Sequence, residues 1–169
     1  MDDRGVRLAR AAADWSPVGR AAIVLSHVGR GGLPWFALAA AIGAGRRPLS
    51  RRDATVVSSA SIAVGLTGSS LLARAFGRRR PCDRGVPALV PCPTGSSFPS
   101  DQAAASFAAA EVLSWLEPPA GRWFRTGATA VALARVAVGV HYPSDVIAGG
   151  LIGAAVGRAG RAAAARRAD

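Results

Sequence analysis

An arginine, a histidine and an aspartate stand six and four residues apart in the stretch ALARVAVGVHYPSDVIAGG, residues 132–150: Arg135, His141 and Asp145. These are the parts needed to hold and attack a phosphate. A neutral imidazole is a nucleophile towards phosphorus, and a covalent intermediate divides one difficult displacement into two easier ones. A carboxylate on the other ring nitrogen fixes the tautomer and balances the charge the ring gathers. Guanidinium groups neutralise the phosphoryl oxygens, where most of the catalysis of phosphoryl transfer resides. On this reading His141 is the nucleophile and Asp145 orients it.

Two further stretches carry matching chemistry. GRRRP, residues 77–81, supplies Arg80, with Arg74 and Arg78 as further cationic candidates. SSFPSDQA, residues 96–103, supplies Ser100 at the start of a predicted helix, whose unpaired N–H groups make an anion seat. Asp101 and Gln102 follow it directly. Each residue alone has a plainer use: His141 as a helix cap, Asp145 as a first-turn charge, the arginines as snorkelling cations at a membrane edge. Their joint spacing inside apolar sequence argues against the plainer uses, because ionisable groups in lipid are expensive.

The three stretches together resemble the type 2 phosphatidic acid phosphatase superfamily, over about residues 20–160. The family pattern reads Lys-x6-Arg-Pro, then Pro-Ser-Gly-His, then Ser-Arg-x5-His-x3-Asp. Arg135, His141 and Asp145 match the third piece, with Ala134 where serine is usual. Arg80 and Pro81 match the first, but Ala73 holds the lysine position, so Arg74 or Arg78 is expected to replace that charge. Pro99 and Ser100 match the second, whereas Asp101 replaces glycine and Gln102 replaces histidine. The resemblance implies a phosphohistidine mechanism at His141, with Arg80, Ser100 and Arg135 binding phosphate and no metal or cofactor.

Gln102 is the informative departure. The family histidine protonates the leaving oxygen, and glutamine donates a hydrogen bond but transfers no proton. General acid catalysis is typically worth about 10²–10⁴-fold. The loss falls hardest on an alkoxide leaving group and least on a phosphate, whose second pKa is about 6. A polyprenyl diphosphate is therefore the expected substrate. A lipid phosphate monoester (phosphatidic acid, phosphatidylglycerol phosphate or a polyprenyl-linked sugar phosphate) is the alternative. Asp101 is set aside as the acid because neighbouring arginines favour its charged form. A lipid-phosphate-binding pseudoenzyme, or a transporter or scaffold needing no His–Asp pair, are the readings from other classes.

The elements that must position these residues follow from composition. Half of the 169 residues are hydrophobic but only 6% are aromatic, so Ala, Val, Leu and Gly carry the bulk. Small residues of this kind suit close-packed membrane helices. The net charge is +11 and all 21 basic residues are arginine. They flank apolar runs instead of forming a stripe among aromatics, which excludes nucleic acid as the expected partner. The expected partners are the bilayer and a phosphorylated lipid. With two histidines and two cysteines in all, a zinc site is poorly supplied. Cys82 and Cys92 share one loop, either as a disulfide or as two free thiols.

The predicted fold is all-α: an integral-membrane bundle of about five transmembrane helices behind a short N-terminal interfacial helix, within residues 1–19 of a single domain. The first span lies within Ala21–Ala44, kinked at Gly29–Pro34 or beginning near Leu33, and its His27 reads as structural or interfacial. RRPLSRRD, residues 46–53, is a basic turn. The second span covers Ala54–Ala73, and residues 74–100 form a long loop, a length that in a small domain marks function or disorder. The third span runs from Ser100 as N-cap to Leu116, the fourth from Trp123 to His141, and the fifth from Pro143 to about Gly160. The fifth carries Gly149, Gly153 and Gly157 as a packing face, and residues 161–169 form a basic tail. Five spans put residues 74–100 and His141–Asp145 on one membrane face, with the more basic face opposite. The positive-inside rule then points the site out of the cytoplasm at the plasma membrane.

Overall fold

The computed structural model describes residues 2–14, 16–45 and 51–168. Residues 46–50 of the expected basic turn lie outside the described residues. The described residues form seven α-helices: α1 (Asp2–Ala13), α2 (Ser16–Val28), α3 (Leu33–Gly45), α4 (Arg51–Phe76), α5 (Asp101–Leu116), α6 (Gly121–Ala137) and α7 (Pro143–Ala168). Among the described residues there is no strand.

Helix α5 is the centre, packed against α4, α6 and α7. Its sequence explains the position. Ala103, Ala104, Ala105, Ala108, Ala109 and Ala110 are all buried, so neighbours approach closely on every side. Trp35 reaches in from α3 and donates from Nε1 to Ser106 Oγ at 2.9 Å. The expected glycine face lies against α5: a side chain at Gly149 would strike the Ser100 carbonyl, and one at Gly153 the Ala104 carbonyl. Replacing Gly153 by valine should therefore destabilise the fold by roughly 3 kcal/mol, the cost of overpacking against backbone that has no room to give. Thermal unfolding in detergent measures this, and an unchanged midpoint would remove the close-packing account of α7.

The interrupted first segment is kinked. Gly31 and Gly32 take positive φ values of 64° and 70°, and the helix resumes at Leu33. The two halves run antiparallel to α6, from Ser26 beside Arg135 through Gly29 beside Val131 to Trp35 beside Gly127. Several boundaries differ from expectation. Helix α4 takes in residues 51–53 of the expected basic turn and residues 74–76 of the expected loop. Helix α6 ends at Ala137, because Gly139 turns the chain with φ 81°. Helix α7 continues through the basic tail, whose alanines and arginines are strong helix formers.

One helix among the described residues, Thr55–Phe76 within α4, is long and apolar enough to cross a membrane on its own. Helices α5 and α6 have 16 and 17 residues, about 25 Å at 1.5 Å each. Arginines dilute the end of α7. The count of five independent spans therefore rests on helices that are short or charged by that measure.

The long loop is ordered by its own bonds: Ser97 N donates to Arg78 O at 2.7 Å, and Leu89 N to Val138 O at 3.0 Å. Cys82 and Cys92 are joined in a disulfide. The end of α4, the loop, the starts of α5 and α7, and the end of α6 thus meet at one end of the bundle. Helix α1 packs there too, with Val6 fully buried against Val86, Tyr142 and Val146.

Candidate active site

His141 sits in the turn between α6 and α7, 1% exposed. Its Nδ1 lies 2.8 Å from the Ser97 carbonyl oxygen, and Arg80 Nη1 lies 3.1 Å from Nε2. The chemistry of the partners fixes the tautomer. A carbonyl only accepts, so Nδ1 carries the proton, and a guanidinium only donates, so Nε2 presents its lone pair. Burial lowers the pKa of His141 first of all; the charges of Arg135 and Arg80 lower it further, and Asp145 offsets part of the shift. The ring is held neutral with Nε2 towards a guanidinium.

Asp145 does not bond the ring as expected. Its Oδ2 is 3.7 Å from Nδ1, beyond hydrogen-bond length. It instead accepts from Ser97 Oγ and from Tyr142 N at 2.8 Å, while Oδ1 accepts from Arg78 Nη1 at 2.7 Å. Ser97 therefore does the positioning assigned to Asp145: its carbonyl holds the ring and its hydroxyl holds the carboxylate. Asp145 acts on the ring through its charge.

The arginines separate into different roles. Arg80 is buried, spanning from the Val140 carbonyl at 3.1 Å to the Ser96 carbonyl at 3.0 Å, with its Nε lacking a protein partner. Arg78, one of the two candidates for the missing lysine charge, is committed elsewhere. It bonds Asp145, Ser144 at 2.7 Å and Asp2 at 2.7 Å, and lies 4.2 Å over the Tyr142 ring. Arg74 remains, and it lines a cavity of about 440 Å³ together with Arg80, Ser70, Thr94 and Asp101. Ala73, at the lysine position, lines it as well. His141 is not in the cavity wall itself; Arg80, which is, contacts its Nε2.

Arg135 is buried beside the cluster and donates to Ser26 Oγ, with its Nε unpartnered. Ser100 is the N-cap of α5: its Oγ accepts from Ala103 N at 3.4 Å, and its own N donates to the Asp145 carbonyl at 3.0 Å. Asp101 accepts from Gln102 N at 2.8 Å, closing the first turn. Gln102 turns towards α2, its Nε2 3.4 Å from the Ser26 carbonyl, and its Oε1 has no partner. It does not line the cavity. His27 bonds the Ile23 carbonyl of its own helix at 2.9 Å. Sequence reasoning passed over Ser26, Ser97 and Asp2. Ser97 lay inside a quoted motif and was the most readable of them.

Comparison with known proteins gives the family. The PAP2 superfamily profile matches residues 54–168, and the chain belongs to that superfamily. It is 34% identical over 142 residues to decaprenylphosphoryl-5-phosphoribose phosphatase of Mycobacterium tuberculosis, covering 79% of this chain and 73% of that protein. The Mycolicibacterium smegmatis protein of the same name is 34% identical over 134 residues, 74% of this chain and 67% of its own length. The fold matches the crystal structure of Aquifex aeolicus LpxE with a TM-score of 0.78 at 24% identity, over 93% of this chain and 94% of that one. It also matches a transmembrane PAP2-type phosphatidylglycerolphosphate phosphatase from Bacillus subtilis with a TM-score of 0.73 at 18% identity, over 95% and 83%.

Proposed function

We propose that this chain is a multi-pass membrane phosphatase that hydrolyses the phosphate monoester of a polyprenyl-linked phosphopentose through a phosphohistidine at His141. One observation carries the chemistry: a buried neutral imidazole whose Nε2 lone pair meets the guanidinium of Arg80 at 3.1 Å. The substrate class is supported by the names of the relatives at 34% identity.

In the first step the Nε2 lone pair attacks phosphorus. The bond from phosphorus to the sugar oxygen breaks, and that oxygen takes its electron pair and a proton from water. Arg80 exchanges its bond to Nε2 for bonds to the phosphoryl oxygens, joined by Arg74 and Arg135. The N-terminal N–H groups of α5 at Ser100 seat the anion. Nδ1 keeps its proton on Ser97, and Asp145 balances the positive ring. Water then attacks the phosphohistidine, and the phosphorus–nitrogen bond breaks with its electron pair returning to Nε2. The proton this water loses neutralises the hydroxide left by the first step, and inorganic phosphate leaves. No step needs a metal ion.

The cavity has the size of a small-molecule headgroup site. Asp101 and Thr94 in its wall suit sugar hydroxyls. Beside it α4 exposes Leu71, Leu72 and Phe76, an apolar track along the strongest span for a polyprenyl chain. The disulfide in the loop over the site supports an extracytoplasmic active face at the plasma membrane, since such bonds persist in oxidising compartments. The whole chain acts as one domain, with α1 part of the site instead of a separate interfacial segment.

A second reading, a polyprenyl diphosphate, is favoured by Gln102, which leaves the position of the family acid without a transferable proton. Phosphate release by purified protein from a polyprenylphosphoryl phosphopentose and from a polyprenyl diphosphate decides between them. The monoester is expected to be the faster. A faster diphosphate would overturn the phosphopentose reading. Gln102→His should raise monoester turnover by about 10-fold or more and leave the diphosphate nearly unchanged. An equal change for both would remove the leaving-group argument.

A further inference from the structure

The N-terminal helix carries a charge into the site. We propose that Asp2 is a positioning residue for the His141–Asp145 pair, acting through Arg78; the proposal rests on the reading of His141 as nucleophile. Arg78 divides its two terminal nitrogens between two carboxylates. Nη1 donates to Asp145 Oδ1 and Nη2 to Asp2 Oδ2, each at 2.7 Å. Ser144 closes the cluster: its N donates to Asp2 Oδ1 at 3.2 Å, its hydroxyl donates to Asp2 Oδ2, and it accepts from Arg78. Asp2 is built into this arrangement. Burial would raise its pKa, but the bonds from Arg78 and Ser144 outweigh that and hold it below the ordinary carboxylate range.

Helix α1 is fixed at three places that deliver Asp2 to this point. Val6 is fully buried, Gly5 passes so close to Pro143 that a Cβ would come within 2.9 Å of its ring, and Arg10 Nε donates to the Pro87 carbonyl at 2.9 Å. The charge count gives the reason. One arginine between two carboxylates leaves the cluster at net −1, so Asp145 keeps a field to offer the ring as it becomes positive. Without Asp2, Arg78 neutralises Asp145 locally, and its other nitrogen has no anchor. Asp2 thus sets both the place of Arg78 and the charge available at His141.

Asp2→Asn is expected to lower kcat about tenfold with KM changed less than about twofold, the scale seen when an outer partner of a ligating histidine is removed. Asp2→Glu should restore most of the loss. Asp3→Asn serves as the control: it removes the neighbouring exposed carboxylate of the same helix and should leave kcat unchanged. Wild-type kcat in Asp2→Asn, or a loss that Asp2→Glu does not restore and that Asp3→Asn reproduces, overturns the proposal. Should Asp2→Asn be recovered unfolded, Ser144→Ala tests the same cluster, with a fall of about threefold in kcat expected and no fall overturning it. His141→Ala run alongside separates the two ideas. An active His141→Ala sinks the nucleophile reading itself, whereas an inactive one beside a fully active Asp2→Asn sinks only the role of Asp2.

Discussion

Replacing His141 by alanine should abolish turnover, by at least about 10³-fold, while the protein still folds and still binds its substrate. The size of the effect follows from the division of labour. Removing the nucleophile of a hydrolase costs on the order of 10⁶ in kcat and leaves only what binding and charge stabilisation supply. Here Arg80 and Arg74 remain to bind, because Arg80 is held by the Val140 and Ser96 carbonyls independently of the ring. The cost to stability combines the Ser97 carbonyl left without its imidazole partner, about 1–3 kcal/mol, with the cavity left by a buried ring. Phosphate release measures the first effect. Thermal unfolding measures the second, and rapid acid and alkaline quench with labelled substrate tests for the covalent intermediate: the wild type should accumulate an acid-labile, alkali-stable phosphoryl group that the variant lacks. Retained turnover would leave the site without its nucleophile.

The parts of the site that could be read from sequence are the charged and titratable residues of the motifs. Arg80, Arg135, His141 and Asp145 are a chemical vocabulary, and their spacing placed them at one end of the bundle. What could not be read is who holds whom. Ser97, from the loop before α5, takes the ring nitrogen assigned to Asp145, and no periodicity predicts which loop carbonyl reaches the ring. Arg78 looked like a phosphate ligand because its partner is the side chain of Asp2, 76 residues away. Asp2 itself was hidden, since an acidic residue at a helix start is already explained by the helix dipole. The fold shows the same division. The glycines of α7 and the cap at Ser100 are local signals and sit where expected. The continuation of α7 to Ala168 is obscured in the sequence because a run of arginines past Gly160 reads as a tail, although arginine is a good helix former.

Arg80 gives the second large effect, and it distinguishes charge from shape. Arg80→Ala should lower kcat/KM by about 10³-fold, at the upper end of what the loss of one oxyanion donor costs. The residue exceeds a single donor because it both forms a wall of the cavity and faces Nε2. Arg80→Lys keeps a positive charge but has no planar fork, so it cannot hold two carbonyls and a phosphate in one plane. It should recover about tenfold of the loss and no more. Both variants leave the Val140 and Ser96 carbonyls short of a buried donor and should lose roughly 1–3 kcal/mol of stability. Steady-state kinetics beside thermal unfolding measures the pair, and vanadate inhibition shows whether the loss lies in oxyanion binding. In the proposed mechanism arginine is required here because the resting contact with the histidine is exchanged for one with phosphate without moving the side chain. If lysine supported full activity, positive charge alone would suffice, and the fork across Val140, Ser96 and Nε2 would be only a structural clasp.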